Sequence, residues 1–112
     1  MQLIMGNPIE NKEINPEIVE YMQESYKELI SLIGDTSDKQ FLASFFECLF
    51  TPSERKAMVE RWILVKELKK GVTQREIARK FNMSLCKITR GSRELQKKDS
   101  AFLKALSMVS QD

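Results

Sequence analysis

Apolar side chains recur at helical spacing along most of this chain. From Pro16 to Ile33 they fall three or four residues apart, and Asn15 and Gly34 predict the start and the end of that helix. The same spacing predicts further helices over about residues 38–49, 52–70, 74–81, 85–95 and 100–109. The pattern predicts no strand, so we expect an all-α chain of six helices.

Short polar residues mark where several of these helices begin. Thr51-Pro52-Ser53-Glu54 combines a cap, a proline at the first helical position and a glutamate that can close a capping box. Thr73 and Glu76 can form a second box, and Ser84 can cap the helix that follows. These signals favour helices over 52–70, 74–81 and 85–95.

The helices at 74–81 and 85–95 are short and close together. Asn82 between them tolerates the left-handed conformation that a tight turn needs. Ala78 supplies a small side chain where the two helices should approach each other. The arrangement predicts a helix-turn-helix over about 73–95, whose second helix enters the major groove of DNA.

The predicted second helix is apolar on most sides, and such a helix should be buried on several faces. A second subunit could provide that burial, and so could an ordinary position in the centre of the core. The sequence leaves both alternatives open. The apolar residues of this segment are Phe41, Leu42, Phe45, Phe46, Leu49 and Phe50.

Charge is distributed unevenly along the chain. Residues 73–98 hold eight basic residues against two acidic ones, whereas the first fifty residues hold three lysines against nine acids. The net charge of the whole chain is only +2. A local positive field of this kind favours DNA binding, although a solvated basic helix pair in a protein-interaction module would look similar.

The sequence gives little support for an enzyme, a metal or redox protein, or a membrane or secreted protein. The chain has no histidine and no glycine-rich phosphate loop, so we do not expect an enzyme. Cys48 and Cys86 are not spaced as a metal or redox motif. We expect no membrane span and no signal peptide, and therefore a cytoplasmic protein. Residues 1–14 are predicted to be a flexible arm, and 15–112 one helical domain.

Three motifs give the chain a specific resemblance. Thr51-Pro52-Ser53-Glu54-Arg55, Thr73-Gln74-Arg75-Glu76 after Gly71, and Ile88-Thr89-Arg90-Gly91-Ser92 are similar to segments of the Trp repressor family. The resemblance covers roughly Phe45 to Leu106. It implies an all-helical, intertwined homodimer that binds L-tryptophan as co-repressor and then binds double-stranded operator DNA.

The resemblance also implies a ligand site. Arg61 and Arg90 match two arginines that sandwich the indole ring, and Arg90 also matches the arginine that pairs with the carboxylate. Thr51 matches a threonine at that carboxylate, and Gly91 matches a glycine beside the ring. Backbone carbonyls near two further residues match those that face the ligand's amino group; these residues are Cys48 and Phe50.

Glu94 departs from the family, whose best-known members have serine there. Because Glu94 lies one helical turn beyond Arg90, the two could clamp a zwitterion, with Arg90 binding the carboxylate and Glu94 the ammonium. An ordinary surface pair between Arg90 and Glu94 is the alternative, and such a pair could compete with the ligand.

The DNA contacts implied by the resemblance are less uniform. Arg75 matches the family's guanine-reading arginine, and arginine is the commonest specific partner of guanine. Lys87 replaces a threonine, and Ala78 and Gln96 replace lysines that touch phosphate. The remaining candidates are the recognition-helix residues Leu85, Cys86 and Thr89 and the compensating basic residues Arg79, Lys80, Arg93, Lys97 and Lys98.

Two alternatives to a tryptophan-dependent repressor stay open. A regulator of the same fold could be independent of ligand or could use another effector, and Glu94 favours that alternative. A helical protein-interaction module without DNA could use the acidic first half and the basic second half of the chain. Such a module would lack the steeply salt-dependent DNA binding that phosphate contacts produce.

Overall fold

The computed structural model describes residues 15–110. Within that range every regular element is an α-helix and no strand is present, which confirms the all-α prediction. The helices are α1 (Pro16–Asp35), α2 (Lys39–Leu49), α3 (Pro52–Lys69), α4 (Gln74–Phe81), α5 (Leu85–Gln96) and α6 (Ala101–Val109). The predicted arm at 1–14 lies outside the described residues.

Local capping chemistry sets most helix ends where the sequence predicts them. The Thr51 hydroxyl accepts a hydrogen bond from the Glu54 N–H at 3.1 Å, and the Glu54 carboxylate accepts one from the Thr51 N–H at 2.8 Å. This confirms the capping box at the start of α3. Asn15 caps α1 and Ser84 caps α5 through single side-chain hydrogen bonds.

Two details of the predicted helix ends are wrong. Helix α1 continues through Gly34 to Asp35, because Gly34 keeps helical geometry and Thr36 is the first residue to adopt extended backbone. At α4, Thr73 accepts the expected bond from the Glu76 N–H, but the Glu76 carboxylate does not return it. That carboxylate instead accepts two hydrogen bonds from Arg79, one helical turn further along.

The chain divides between Leu49 and Phe50 into two compact units. The described helices of the first unit, α1 and α2, contain no buried residue. Phe41 stacks on Phe45 with ring centroids 5.9 Å apart, yet Phe41 remains 44% exposed. Helix α2 is therefore not buried on several faces within one chain, and an intertwined homodimer stays a prediction.

The second unit has a small core where α3, α4 and α5 meet. Ile77 of α4 and Ile88 of α5 are fully buried against Leu64 of α3, and Met83 from the intervening turn is nearly so. Each helix therefore contributes one apolar side to a common centre. Its partly buried surroundings include Ile63, Leu68, Val72, Ala78 and Phe81.

The turn between α4 and α5 produces the predicted helix-turn-helix. Asn82 adopts the left-handed conformation, with φ 54° and ψ 48°. The next N–H, that of Met83, donates to the Ala78 carbonyl at 3.2 Å. Asn tolerates this conformation better than most residues, so the chain can reverse here without a glycine.

At Gly91 helix α5 packs tightly against Leu64 of α3. A Cβ atom at this position would lie 2.5 Å from the Leu64 Cδ2 atom and 3.2 Å from its Cγ atom. Leu64 is only 1% exposed, so its side chain has little room to move away. The distance between α3 and α5 therefore depends on the missing side chain at Gly91.

We predict that Gly91→Ala destabilises the protein by about 1–2 kcal/mol, because overpacking against Leu64 exceeds the roughly 0.5–1 kcal/mol that alanine adds in a helix. Urea unfolding at a fixed protein concentration measures the change. Gly34→Ala is the matched control, since Gly34 is also helical but a Cβ atom added there would meet no atom within 4 Å. A Gly91→Ala protein as stable as the parent would contradict this, because it would show that the Leu64 side chain can move aside without lowering the free energy of unfolding.

Candidate DNA-reading surface and ligand cavity

Helix α5 has one side that faces the core and an adjacent side that is accessible; a third side lines the cavity described below. Ile88 and Gly91 face α3 and the core. Leu85, Thr89 and Arg93 recur every four residues and form an adjacent stripe, which we call the reading stripe. Leu85 is 55% exposed, and Arg93 is also exposed. The stripe therefore has the accessibility that contact with a DNA groove requires.

Thr89, in the middle of the reading stripe, also contacts α4. Its hydroxyl donates to the Gln74 Oε1 atom at 3.4 Å, and its side chain is half-buried. Gln74 is the first residue of α4. This bond adds a polar contact to the apolar packing between the two helices of the motif.

Most of the predicted DNA-binding cations are exposed. Arg75 and Arg93 have no acidic partner among residues 15–110, and the same is true of Lys80, whose ammonium lies 5.4 Å from the centre of the Phe81 ring. Arg79 pairs with Glu76 at 2.8 Å, but both side chains are more than half exposed. An exposed pair of this kind is weak and exchanges readily for another anion.

Lys87 differs from the other cations. Its ammonium donates to the Glu60 carboxylate of α3 at 3.0 Å, with the lysine 35% and the glutamate 17% exposed. Glu60 also accepts a hydrogen bond from Lys56 at 2.8 Å. The sequence does not predict the contact with Lys87, because the two residues lie 27 positions apart and carry no common motif.

Two ammonium groups stabilise the ionised form of Glu60. Hydrogen bonds from Lys56 and then from Lys87 lower the pKa of Glu60 from its ordinary value. A carboxylate with a lowered pKa contributes to stability above its unfolded-state pKa. That contribution disappears only as the pH falls through the lowered value. The bridge is therefore intact at neutral pH.

A cavity of about 500 Å³ lies among α3, α5 and α6. Its apolar part comes from Leu64, Val65 and Phe102, and its charged part from side chains of α3 and α5. Cys86, Arg90 and Glu94 recur every four residues, so one side of α5 forms much of the wall. The complete lining is Arg61, Leu64, Val65, Cys86, Lys87, Arg90, Gly91, Glu94 and Phe102.

The cavity brings together four of the seven residues predicted to bind ligand, namely Arg61, Arg90, Gly91 and Glu94. The other three do not line it. The Thr51 hydroxyl caps α3, and the Phe50 carbonyl accepts a hydrogen bond from Arg55 at 2.8 Å. Cys48 belongs to the other compact unit. Phe102 lines the cavity without having been predicted, because its position in α6 indicated only an apolar helix face.

The four charged residues that line the cavity differ in their partners; they are Arg61, Lys87, Arg90 and Glu94. Neither Arg61 nor Arg90 has an acidic partner in the described part of the chain. Glu94 does not form the possible surface pair with Arg90, because its carboxylate accepts a hydrogen bond from Lys97 at 2.9 Å. The two guanidinium groups are therefore free for a ligand. The pair of Glu94 with Lys97 is exposed, with side chains 49% and 64% accessible, so it is weak and can exchange for a ligand ammonium.

Residues 15–110 offer neither a metal site nor a membrane span. No cluster of cysteine and carboxylate side chains there could hold a metal ion. None of the described helices combines the length and the apolar character that crossing a bilayer demands.

Comparison with known proteins extends the resemblance beyond the three motifs. The family described as Trp repressor protein matches residues 24–110. A Trp operon repressor homolog of Chlamydia trachomatis serovar D is 33% identical over 81 residues, which cover 71% of this chain and 86% of the relative. A homolog from Vibrio parahaemolyticus is 34% identical over 85 residues, covering 75% of this chain and 82% of the relative.

A third relative, the Trp operon repressor homolog of Chlamydia caviae, is 30% identical over 89 residues, covering 79% of this chain and 88% of the relative. No solved structure matches significantly. The family match includes both helices of the DNA-reading motif and every residue that lines the cavity. The chain belongs to the Trp repressor family.

Proposed function

We propose that this protein is a DNA-binding transcriptional repressor, active as a cytoplasmic homodimer, whose operator binding is activated by L-tryptophan. One observation supports the proposal most directly. Helix α5 carries the reading stripe on one side and the wall of a charged, partly apolar cavity on the next. A ligand in the cavity would therefore contact the same helix that meets DNA.

The cavity has the chemistry that an aromatic amino acid needs. Arg61 and Arg90 offer guanidinium planes, which stack on aromatic rings and bind carboxylates in a charge-assisted way. Leu64, Val65 and Phe102 provide apolar surface for the indole. Because both arginines lack an acidic partner in the described range, ligand binding breaks no ion pair at either one.

The DNA side rests on the exposed cations of α4 and α5. Arg75 near the start of α4 is the candidate for a specific contact with guanine. Lys80 and Arg93 have charges available for phosphate, and Arg79 can exchange Glu76 for phosphate at little cost. Leu85, exposed at the start of α5 in the reading stripe, lies where a recognition helix approaches base edges. Cys86, the other predicted contact there, is exposed but lines the cavity.

Binding to successive major grooves, which lie about 34 Å apart, requires two helix-turn-helix motifs. A homodimer supplies them, and the apolar faces that one chain leaves exposed support such an assembly. Tyr21 of α1 is 71% exposed and Met108 of α6 is 65% exposed. Ligand in the cavity would favour the DNA-competent spacing only through a higher affinity for that arrangement.

A second candidate function has a specific observation in its favour. Glu94 places a carboxylate in the cavity wall, and that carboxylate is already bound to Lys97. If the ligand ammonium cannot displace Lys97, a different effector or no effector would be used. The helix-turn-helix and its DNA binding would be the same in that case.

We predict that L-tryptophan binds with one site per chain, and that Arg90→Ala weakens binding by at least about tenfold, since a charge-assisted hydrogen bond contributes roughly 1.5–3 kcal/mol. Isothermal titration calorimetry measures both values. Arg93→Ala is the matched control, because Arg93 is an exposed arginine of the same helix that does not line the cavity. Equal losses in the two variants would contradict the assignment of Arg90.

Indole-3-propionate, which lacks the amino group, separates the two candidate functions in the same titration. Tighter binding of tryptophan than of this analogue, with the difference lost in Glu94→Gln, would support Glu94 as the ammonium partner. Absence of binding by either compound to a folded protein would reject the tryptophan-dependent function. The ligand-independent regulator would then be the remaining candidate.

We predict that tryptophan increases affinity for a duplex selected from a random-sequence DNA pool, and that Arg75→Ala costs about 1–3 kcal/mol and relaxes the base preference at one position. Fluorescence anisotropy on selected and mutated duplexes measures this. Lys104→Ala is the control, since Lys104 is an exposed cation of α6 outside the motif. A uniform loss across all sequences would instead make Arg75 a phosphate contact.

A further inference from the structure

The Glu60–Lys87 bridge is not explained by either proposed binding site. Lys87 is the third residue of α5, in the turn that approaches DNA in helix-turn-helix proteins. Its ammonium is nevertheless bound to Glu60 of α3 at 3.0 Å. Lys87 also stands outside the reading stripe and lines the cavity instead. The Lys87 ammonium therefore binds a carboxylate of the protein, although a lysine in the first turn of a recognition helix is placed to bind DNA phosphate.

The exposure of the two partners distinguishes this bridge from the neighbouring ion pairs. Arg79 and Glu76 are 73% and 53% exposed, and Lys97 and Glu94 are 64% and 49% exposed. Lys87 and Glu60 are 35% and 17% exposed. Because less water screens the bridge, it loses more free energy than an exposed pair would when a DNA phosphate replaces the carboxylate.

Glu60 also has a second cation. Lys56, one turn earlier on α3, donates to the other carboxylate oxygen of Glu60 at 2.8 Å. Lys56 keeps Glu60 ionised and therefore available as an acceptor for Lys87. Because Lys56 also compensates part of the carboxylate's charge, the limited exposure of the bridge to water is what opposes the release of Lys87.

We propose that Glu60 withholds Lys87 from DNA and thereby limits how tightly, and with how steep a salt dependence, this protein binds DNA. Phosphate contacts strengthen binding to every sequence alike, so a withheld lysine lowers the affinity for all duplexes and makes that affinity less dependent on salt. The bridge also holds the first turn of α5 against α3, which fixes how the reading stripe is presented. The inference rests on the DNA binding proposed above and concerns its strength and its salt dependence.

The test compares the parent, Glu60→Gln, Lys87→Met and the double variant on a fluorescein-labelled duplex of mixed sequence, with saturating L-tryptophan present in every titration. Anisotropy titrations at several KCl concentrations give the slope of log affinity against log salt. Each additional phosphate neutralised steepens that slope by about 0.9, which is about a threefold larger loss of affinity between 50 and 200 mM salt. We expect a steeper slope and tighter binding for Glu60→Gln. We expect the parent's slope for Lys87→Met and for the double variant.

The double variant separates Lys87 from Lys56, because removal of Glu60 frees both lysines. A steep slope that persists in the double variant would assign the new contact to Lys56 and overturn the proposal. Glu67→Gln controls for the added positive charge, since Glu67 is another acid of α3, 13% exposed and paired with Lys70. Circular dichroism verifies that each variant is folded. If Glu60→Gln is not folded, Glu60→Ala provides a second way to remove the carboxylate.

Two further outcomes would overturn the proposal. A shallower slope for Lys87→Met would show that Lys87 already contacts phosphate in the presence of Glu60. An unchanged slope for Glu60→Gln would show that the bridge withholds nothing, while the DNA-binding function itself would stand. If the parent protein bound no duplex at any salt concentration, both the function and the inference would be rejected.

Discussion

The packing of α5 against α3 is the constraint on which the rest of the second unit depends. Leu64, Ile77 and Ile88 are almost completely buried, and Gly91 lets the two helix backbones approach around Leu64. This contact fixes the rotation of α5 about its own axis. Once that rotation is fixed, the helical repeat determines which side chains face the cavity and which form the reading stripe.

The proposed ligand site and the proposed DNA-binding surface consequently share one short helix of 12 residues. Arg90 in the cavity wall is the immediate neighbour of Thr89 in the reading stripe. A ligand that shifts α5 must therefore also shift the reading stripe, because a helix moves as a hydrogen-bonded unit. In the proposed co-repressor mechanism, movement of α5 alone can therefore couple the ligand site to the DNA-binding surface.

The sequence alone determined the helices and the helix-turn-helix, because those features depend on neighbours in the chain. Capping by Thr51, Thr73 and Ser84 and the left-handed turn at Asn82 act over three or four residues. Local signals were less reliable at Gly34, since glycine permits a helix to end but does not force it to. The family resemblance also predicted that Arg61 and Arg90 share one site, and both line the cavity although they lie far apart in sequence.

Tertiary structure alone decided which charges are available. Glu60 and Lys87 carry no local signal, yet they form a bridge that engages one cation of the predicted DNA-binding set. Glu94 could have paired with Arg90 or with Lys97, and the structure selects Lys97. An ion pair depends on distance and on screening by water, and both are set by how helices pack. The sequence therefore determines most helix ends, because capping acts over a few residues, whereas packing decides which charged groups are accessible to a ligand or to DNA.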